Sequence, residues 1–149
     1  DLPDPKATYQ PIPPPPFQPR AVSAAAFKGK LFVVGGMQQV GGPTTKVSVY
    51  DPNTNKWKDG PALPGKGMSG FGSATFACGE KLYTTTMDGF VHVLNETEDG
   101  WNTVAEFDNA RFFHRMLPIQ DKRLVVLGGA NMEIGKFTEI LSIEVDKDK

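Results

Sequence analysis

Two histidines and a single cysteine are all that 149 residues offer in thiolate or imidazole ligands. Cys78 alone allows no internal disulfide and no multi-cysteine metal cluster. His92, His114 and Cys78 lie on three different segments with no zinc-type spacing, so neither metal nor other cofactor is expected. An excess of one charge is missing too. Sixteen Lys and Arg against seventeen Asp and Glu leave a net charge of -1, which argues against nucleic acid or an anionic membrane as the partner. No apolar run is long enough for a membrane-crossing helix, and no charged segment followed by an apolar one opens the chain. The first residue is Asp1 and not Met, which suggests a processed product or a fragment and leans toward a secreted or periplasmic site. With 39% hydrophobic and 10% aromatic residues, the chain has what one folded domain, or part of a larger one, requires.

Proline is abundant but uneven: eight of 13 fall in residues 1–19, including the run from Pro13 to Pro16. Proline fixes φ and donates no hydrogen bond, so this stretch is extended and cannot be a central strand throughout. Beyond Arg20, short apolar segments alternate with glycine, Asn and Asp turns, and no helical stripe is sustained. Candidate strands are 22–27, 31–34, 47–50, 72–77, 82–86, 90–94, 115–119, 124–127 and 140–145, an all-β pattern.

The segments repeat. Leu31-Phe32-Val33-Val34-Gly35-Gly36 aligns with Leu124-Val125-Val126-Leu127-Gly128-Gly129. A middle copy, Gly79-Glu80-Lys81-Leu82-Tyr83, matches Gly29-Lys30-Leu31-Phe32 and has Thr86-Met87 in place of the glycine pair. Val47-Ser48-Val49-Tyr50 followed by Trp57 matches Val91-His92-Val93-Leu94 followed by Trp101. Each unit is a small antiparallel sheet, apolar on both faces, that must stack on its neighbours to bury them.

Gly29-Lys30-Leu31-Phe32-Val33-Val34-Gly35-Gly36, Tyr50-Asp51-Pro52 with Trp57, and the third copy from Arg123 to Gly129 resemble the Kelch β-propeller family. The resemblance spans nearly all of residues 7–146. It implies four strands, A to D, per blade, in repeats at 20–64, 65–110 and 111–146. Residues 147–149 are then a charged tail. The third repeat lacks its D strand, and residues 7–12 supply one, with Tyr9 in place of Trp. About four to eight blades close a propeller, so three must be completed. The expected partner is a second copy, giving a homodimeric six-bladed ring, or another chain carrying the missing blades.

Candidate chemistry is sparse. Gly65-Lys66-Gly67-Met68-Ser69-Gly70 has dinucleotide-loop spacing, but strand-like residues follow where a helix is needed, so it reads as a D-to-A connector. His92 reads as a packed strand residue. The Pro16-Phe17-Gln18-Pro19-Arg20 segment reads as a stiff link before it reads as a PxxP ligand. Asn95-Glu96-Thr97 is a glycosylation triplet that counts only in a secreted eukaryotic protein. Arg111-Phe112-Phe113-His114 resembles the Arg-x-x-His start of a Kelch A strand, with Arg20 and Ser23 matched to Arg111 and His114 in the first repeat. The resemblance places these near the channel mouth, for packing or for ligand contact. B-to-C loops at 37–46, 87–89 and 130–138 add Met37, Gln38, Met87 and Asn131 as binding residues. The expected function is a non-catalytic binding module for a protein or glycan. The alternatives are a sugar-active, mutarotase- or epimerase-like enzyme using Arg20, Arg111 and His114 on an acidic sugar, and a structural half of an assembled propeller.

Overall fold

A computed structural model of the chain describes residues 9–17 and 19–145. Its strands are β1 (Ser23–Phe27), β2 (Lys30–Val34), β3 (Met37–Gln38), β4 (Gly42–Pro43), β5 (Val47–Asp51), β6 (Lys56–Asp59), β7 (Thr75–Cys78), β8 (Lys81–Thr85), β9 (Phe90–Leu94), β10 (Trp101–Glu106), β11 (Arg115–Ile119), β12 (Arg123–Leu127), β13 (Ala130–Asn131), β14 (Gly135–Lys136) and β15 (Ile140–Glu144). One 3-10 turn, Gly67–Gly70, interrupts the all-β pattern.

Three antiparallel sheets carry the architecture. Blade 1 is β1-β2-β5-β6, blade 2 is β7-β8-β9-β10, and blade 3 is β11-β12-β15. The A, B, C and D strands expected for two repeats are thus present, and the third shows A, B and C. Of the expected N-terminal D segment, residues 7 and 8 lie outside the described residues, and Tyr9–Ile12 belong to no sheet. Two small hairpins, β3-β4 and β13-β14, fill the first and third B-to-C loops.

Strand alternation explains the packing. On blade 1, Phe27, Phe32, Val34, Val47 and Val49 form one cluster with Leu82 and Leu94 of blade 2. The other face of blade 2, with Cys78, Tyr83, Val91 and Phe107, packs on Met116, Leu124 and Val126 of blade 3. Each such side chain contributes on the order of 1.5–3 kcal/mol by leaving water. Blade 2 is therefore covered on both faces.

Each D-strand tryptophan is pinned to a connector. Trp101 Nε1 donates to Pro61 O at 2.9 Å, and Trp57 Nε1 donates to Pro13 O at 2.7 Å. The proline run therefore occupies, before blade 1, the place that residues 61–64 occupy before blade 2. That agrees with a stiff link into an A strand.

The paired strands correct one register. Arg20 bridges Met37, and Phe112 bridges Ala130, each just after a glycine pair. Ser23 lies opposite Val34, and Arg115 lies opposite Leu127. Arg20 is therefore equivalent to Phe112, and Val22 to His114, whereas the sequence pattern matches Arg20 with Arg111 and Ser23 with His114. The A-to-B turn is one residue longer in blade 3 than in blade 1, and in both turns two residues take positive φ, Lys28 and Gly29 in one, Gln120 and Asp121 in the other. The residue after each bridge, Ala21 or Phe113, also has positive φ, 51° and 56°.

The connector into blade 2 meets blade 1 backbone to backbone at Gly70. Its carbonyl accepts from Gly36 N at 2.8 Å, and a Cβ there would collide with the Thr44 carbonyl. Gly70→Ala should lower stability by about 2–4 kcal/mol in denaturant unfolding, because backbone on both sides must shift. A loss under about 0.5 kcal/mol would mean that this contact yields easily.

Candidate functional site

The hairpins, the D-to-A connectors and the blade 2 B-to-C turn lie on one face. Hairpin β3-β4 leaves Val40 87% exposed. Hairpin β13-β14 leaves Met132 82% and Ile134 58% exposed. Between these hairpins in sequence, the blade 2 turn is short: Gly89 N donates to Thr86 O at 3.0 Å. Beside it, Phe71, Phe112 and Phe113 form a ring cluster, with Phe71 and Phe113 centroids 5.0 Å apart. Phe113 and Met68 are half exposed. Apolar side chains at loop tips cost solubility, and here several gather on one face.

These tips stand on firm supports. Asn131 Nδ2 donates to Ala110 O at 2.7 Å, while its Oδ1 accepts from Glu133 N and Ile134 N at 2.8 and 3.2 Å. That clamp holds the Met132 tip upright. Arg20 and Met37 exchange backbone bonds of 2.9 and 2.8 Å, which anchor the first hairpin. Gln38 pairs with Gly42 inside it. Met87 N donates to Ser69 O, tying the short turn to the connector. Ser69 Oγ donates to Asp88 Oδ2 at 3.0 Å and accepts from Lys66 N at 3.1 Å. The G-x-G-x-x-G stretch is thus a pinned connector with no helix behind it.

Arg111 is a buried residue of the connector into blade 3. It is 2% exposed, lies 4.1 Å from the Phe137 ring centroid and 5.4 Å from that of Phe107, and pairs with Glu139 at 2.9 Å. It also donates to Asn109 O and Gly128 O at 3.4 and 3.3 Å. The guanidinium fastens the root of the third hairpin to its connector. Arg20 is exposed, and its backbone and not its charge carries the bridge. Arg20 and Arg111 therefore occupy inequivalent positions, one exposed and one buried.

His114 is 1% exposed, with Nε2 2.9 Å from Thr85 Oγ1 and Nδ1 without a partner among the described residues. Burial, then the Arg111 and Arg115 charges, lowers its pKa from 6.5 to about 4. It lines a cavity of about 250 Å³ with Ser73, Arg115 and Leu117. His92 is held by Thr86 Oγ1 at 3.2 Å and Thr103 Oγ1 at 3.1 Å. Burial also lowers its pKa, against a smaller upward pull from Asp88. Both ring nitrogens are engaged by threonines, as befits a packed strand residue. Among the described residues no group of His, Cys, Asp and Glu could hold a metal. Asn95 is turned into its own turn, donating to Asp99 Oδ1 at 2.7 Å.

A profile described as the Kelch motif matches residues 19–64. Blade 1 is thus a Kelch motif. The chain is 31% identical over 85 residues to an F-box/kelch-repeat protein of Arabidopsis thaliana, covering 51% of this chain and 21% of that one. It is 30% identical over 95 residues to Kelch-like protein 35 of Mus musculus, covering 63% and 13%. In the solved structure of YjhT, 88% of this chain superposes on 44% of that one, with a TM-score of 0.71 at 16% identity. The chain thus spans about a fifth or less of these curated relatives and under half of YjhT. The YjhT likeness carries the propeller-blade fold alone.

Sequence reasoning marks Met37, Gln38, Met87 and Asn131, which belong to the B-to-C connections of this face. It misses Val40, Met132, Ile134 and the phenylalanine cluster. The Phe112-Phe113 pair beside Arg111 is the available signal, but the positive φ that turns Phe113 outward is not readable from residue type.

The buried His114 makes stability depend on pH. Between pH 6.5 and about 4 the unfolded chain takes up a proton that folded His114 refuses. Stability should therefore be level above that window and fall as pH drops through it, by up to about 3 kcal/mol from this residue. Chemical denaturation of wild type and His114→Gln at about pH 7 and about pH 4.5 tests this. The variant should lose markedly less stability on acidification; equal losses would contradict the assignment.

Proposed function

We propose that this Kelch-repeat chain is a non-catalytic binding module that takes a protein partner on its loop face. Kelch repeats are, in general, protein-interaction modules. The observation that carries the reading is the set of exposed apolar tips, Val40, Met132 and Ile134, above the half-exposed Phe113. Flexible methionine and branched aliphatic side chains on braced hairpins suit an apolar protein surface better than a glycan, whose hydroxyls need polar partners. The short blade 2 turn leaves the hairpins standing above it, so a partner can reach the ring cluster.

An acidic-sugar site built on Arg20, Arg111 and His114 has less support. The Arg111 donors already serve Glu139 and two carbonyls, and His114 is enclosed. Glycan contact through the loop face is the competing outcome that the experiment must separate.

A photo-cross-linking residue at position 132 should capture a protein partner, while the same residue at Lys58, on the blade 1 D strand, should not. Combined Val40→Ser, Met132→Ser and Ile134→Ser should weaken the captured interaction by at least about 30-fold, since a few central apolar residues carry most binding energy. Equal capture from both positions, or glycan binding that the triple variant retains, would contradict the reading.

A further inference from the structure

Among the described residues the outer edge of blade 3 has no paired strand. In blades 1 and 2 the C strand pairs with a D strand, β5 with β6 and β9 with β10. Among the described residues nothing pairs with the outer edge of β15. Gly128 N donates to Glu139 O and Val145 N to Lys122 O, which sets the backbone groups of Ile140, Ser142 and Glu144 toward that edge. The face of blade 3 turned away from blade 2 is also open, with Leu117, Ile119 and Ile140 at 45%, 47% and 67% exposure.

The same chain carries a segment in the register of the missing strand. The matching tryptophan bonds make Pro13 equivalent to Pro61. Counting back, Ile12 corresponds to Gly60, Pro11 to Asp59, Gln10 to Lys58 and Tyr9 to Trp57. Gly60 N donates to Val47 O, and Lys58 lies opposite Val49. Val47 and Ile140 are equivalent, because each lies opposite the residue before a glycine pair. Ile12 would therefore face Ile140, and Gln10 would face Ser142. Pro11 falls on the Asp59 position, whose N–H points away from the C strand, so its missing donor costs the pairing nothing. Proline placement that looks hostile to a strand is compatible with this one.

The aromatic position has a vacant slot as well. Trp57 packs on Tyr50 with centroids 5.2 Å apart, and Trp101 packs against the blade 1–blade 2 cluster. The blade 3 counterpart of Tyr50 is Ile143, opposite Leu124 as Tyr50 is opposite Leu31. Ile143 lines a cavity of about 200 Å³ with Lys81, Val104, Ala105, Glu144 and Val145. Tyr9 is fully exposed.

We propose that residues Tyr9–Ile12 of one copy of this chain add to the free edge of β15 in a second copy, reciprocally, with each Tyr9 filling the other copy's cavity beside Ile143. Blade 3 of each copy then stacks on blade 1 of the other. A second copy is the favoured occupant because one chain carries both halves of the contact in matching register. Two copies also span close to the length of one YjhT chain, of which this chain covers 44%. The inference is independent of what the loop face binds.

Two measurements decide it. Sedimentation equilibrium at micromolar concentration should give twice the 16.2 kDa chain mass. Ser142→Pro removes one edge N–H while leaving the β12 pairing whole, and should raise the dimer dissociation constant at least about tenfold. Gln10→Cys combined with Ser142→Cys places directly opposed thiols, whose Cα separation of about 5.5 Å suits a disulfide. Mild oxidation of that double variant should yield a covalent dimer whose cross-link joins peptides from two copies. A folded monomer, open-ended polymers, or a dimer that Ser142→Pro leaves unchanged and that gives no disulfide between positions 10 and 142 would each overturn the proposal. A monomer that associates only when further Kelch blades are supplied would overturn it in favour of that occupant.

Discussion

Face-to-face burial between neighbouring sheets is the constraint on which this molecule depends. A sheet with Phe32 and Val34 on one side and Val33 and Tyr50 on the other cannot shield both sides itself. Its nearest neighbour supplies one cover. The close approach at Gly70, the Trp101 bond to Pro61 and the Lys28–Glu98 pair at 2.9 Å all follow from bringing such sheets together. The exposed Lys28–Glu98 pair adds little energy, whereas the backbone bonds and apolar burial decide the geometry.

The same constraint separates structure from function along the chain. Side chains on strands are spent on packing, including charged and titratable ones such as His92. Arg111, at the root of a connector, is spent the same way. What remains exposed is the rim, where Val40, Met132 and Ile134 project from braced hairpins. Blade 2 contributes support more than contact, since its B-to-C connection is a tight turn.

Much of the fold is legible in residue order alone. Double glycines after apolar strands, and tyrosine or leucine followed by tryptophan, report the repeat because each answers a local steric need. The blade strands accordingly fall within a few residues of their expected places. Register at the A strands is not legible. Arg20 and Arg111 share a residue type but not a strand position, and only the Arg20–Met37 and Phe112–Ala130 bridges reveal it. The role of Arg111 is hidden for a related reason. An arginine beside two phenylalanines reads equally as a ligand contact or as a buried clamp, and only its neighbours Phe137 and Glu139, far along the chain, decide.

If blades cannot stand alone, they must unfold together. The two tryptophans sit in different blades, at Trp57 and Trp101, so each reports on its own. Denaturant titration of Trp57→Phe and Trp101→Phe variants, followed by fluorescence and by circular dichroism, measures this directly. The account predicts, within each variant, one midpoint shared by both probes. A blade 1 signal lost well before the blade 2 signal, with strand content retained between, would contradict it.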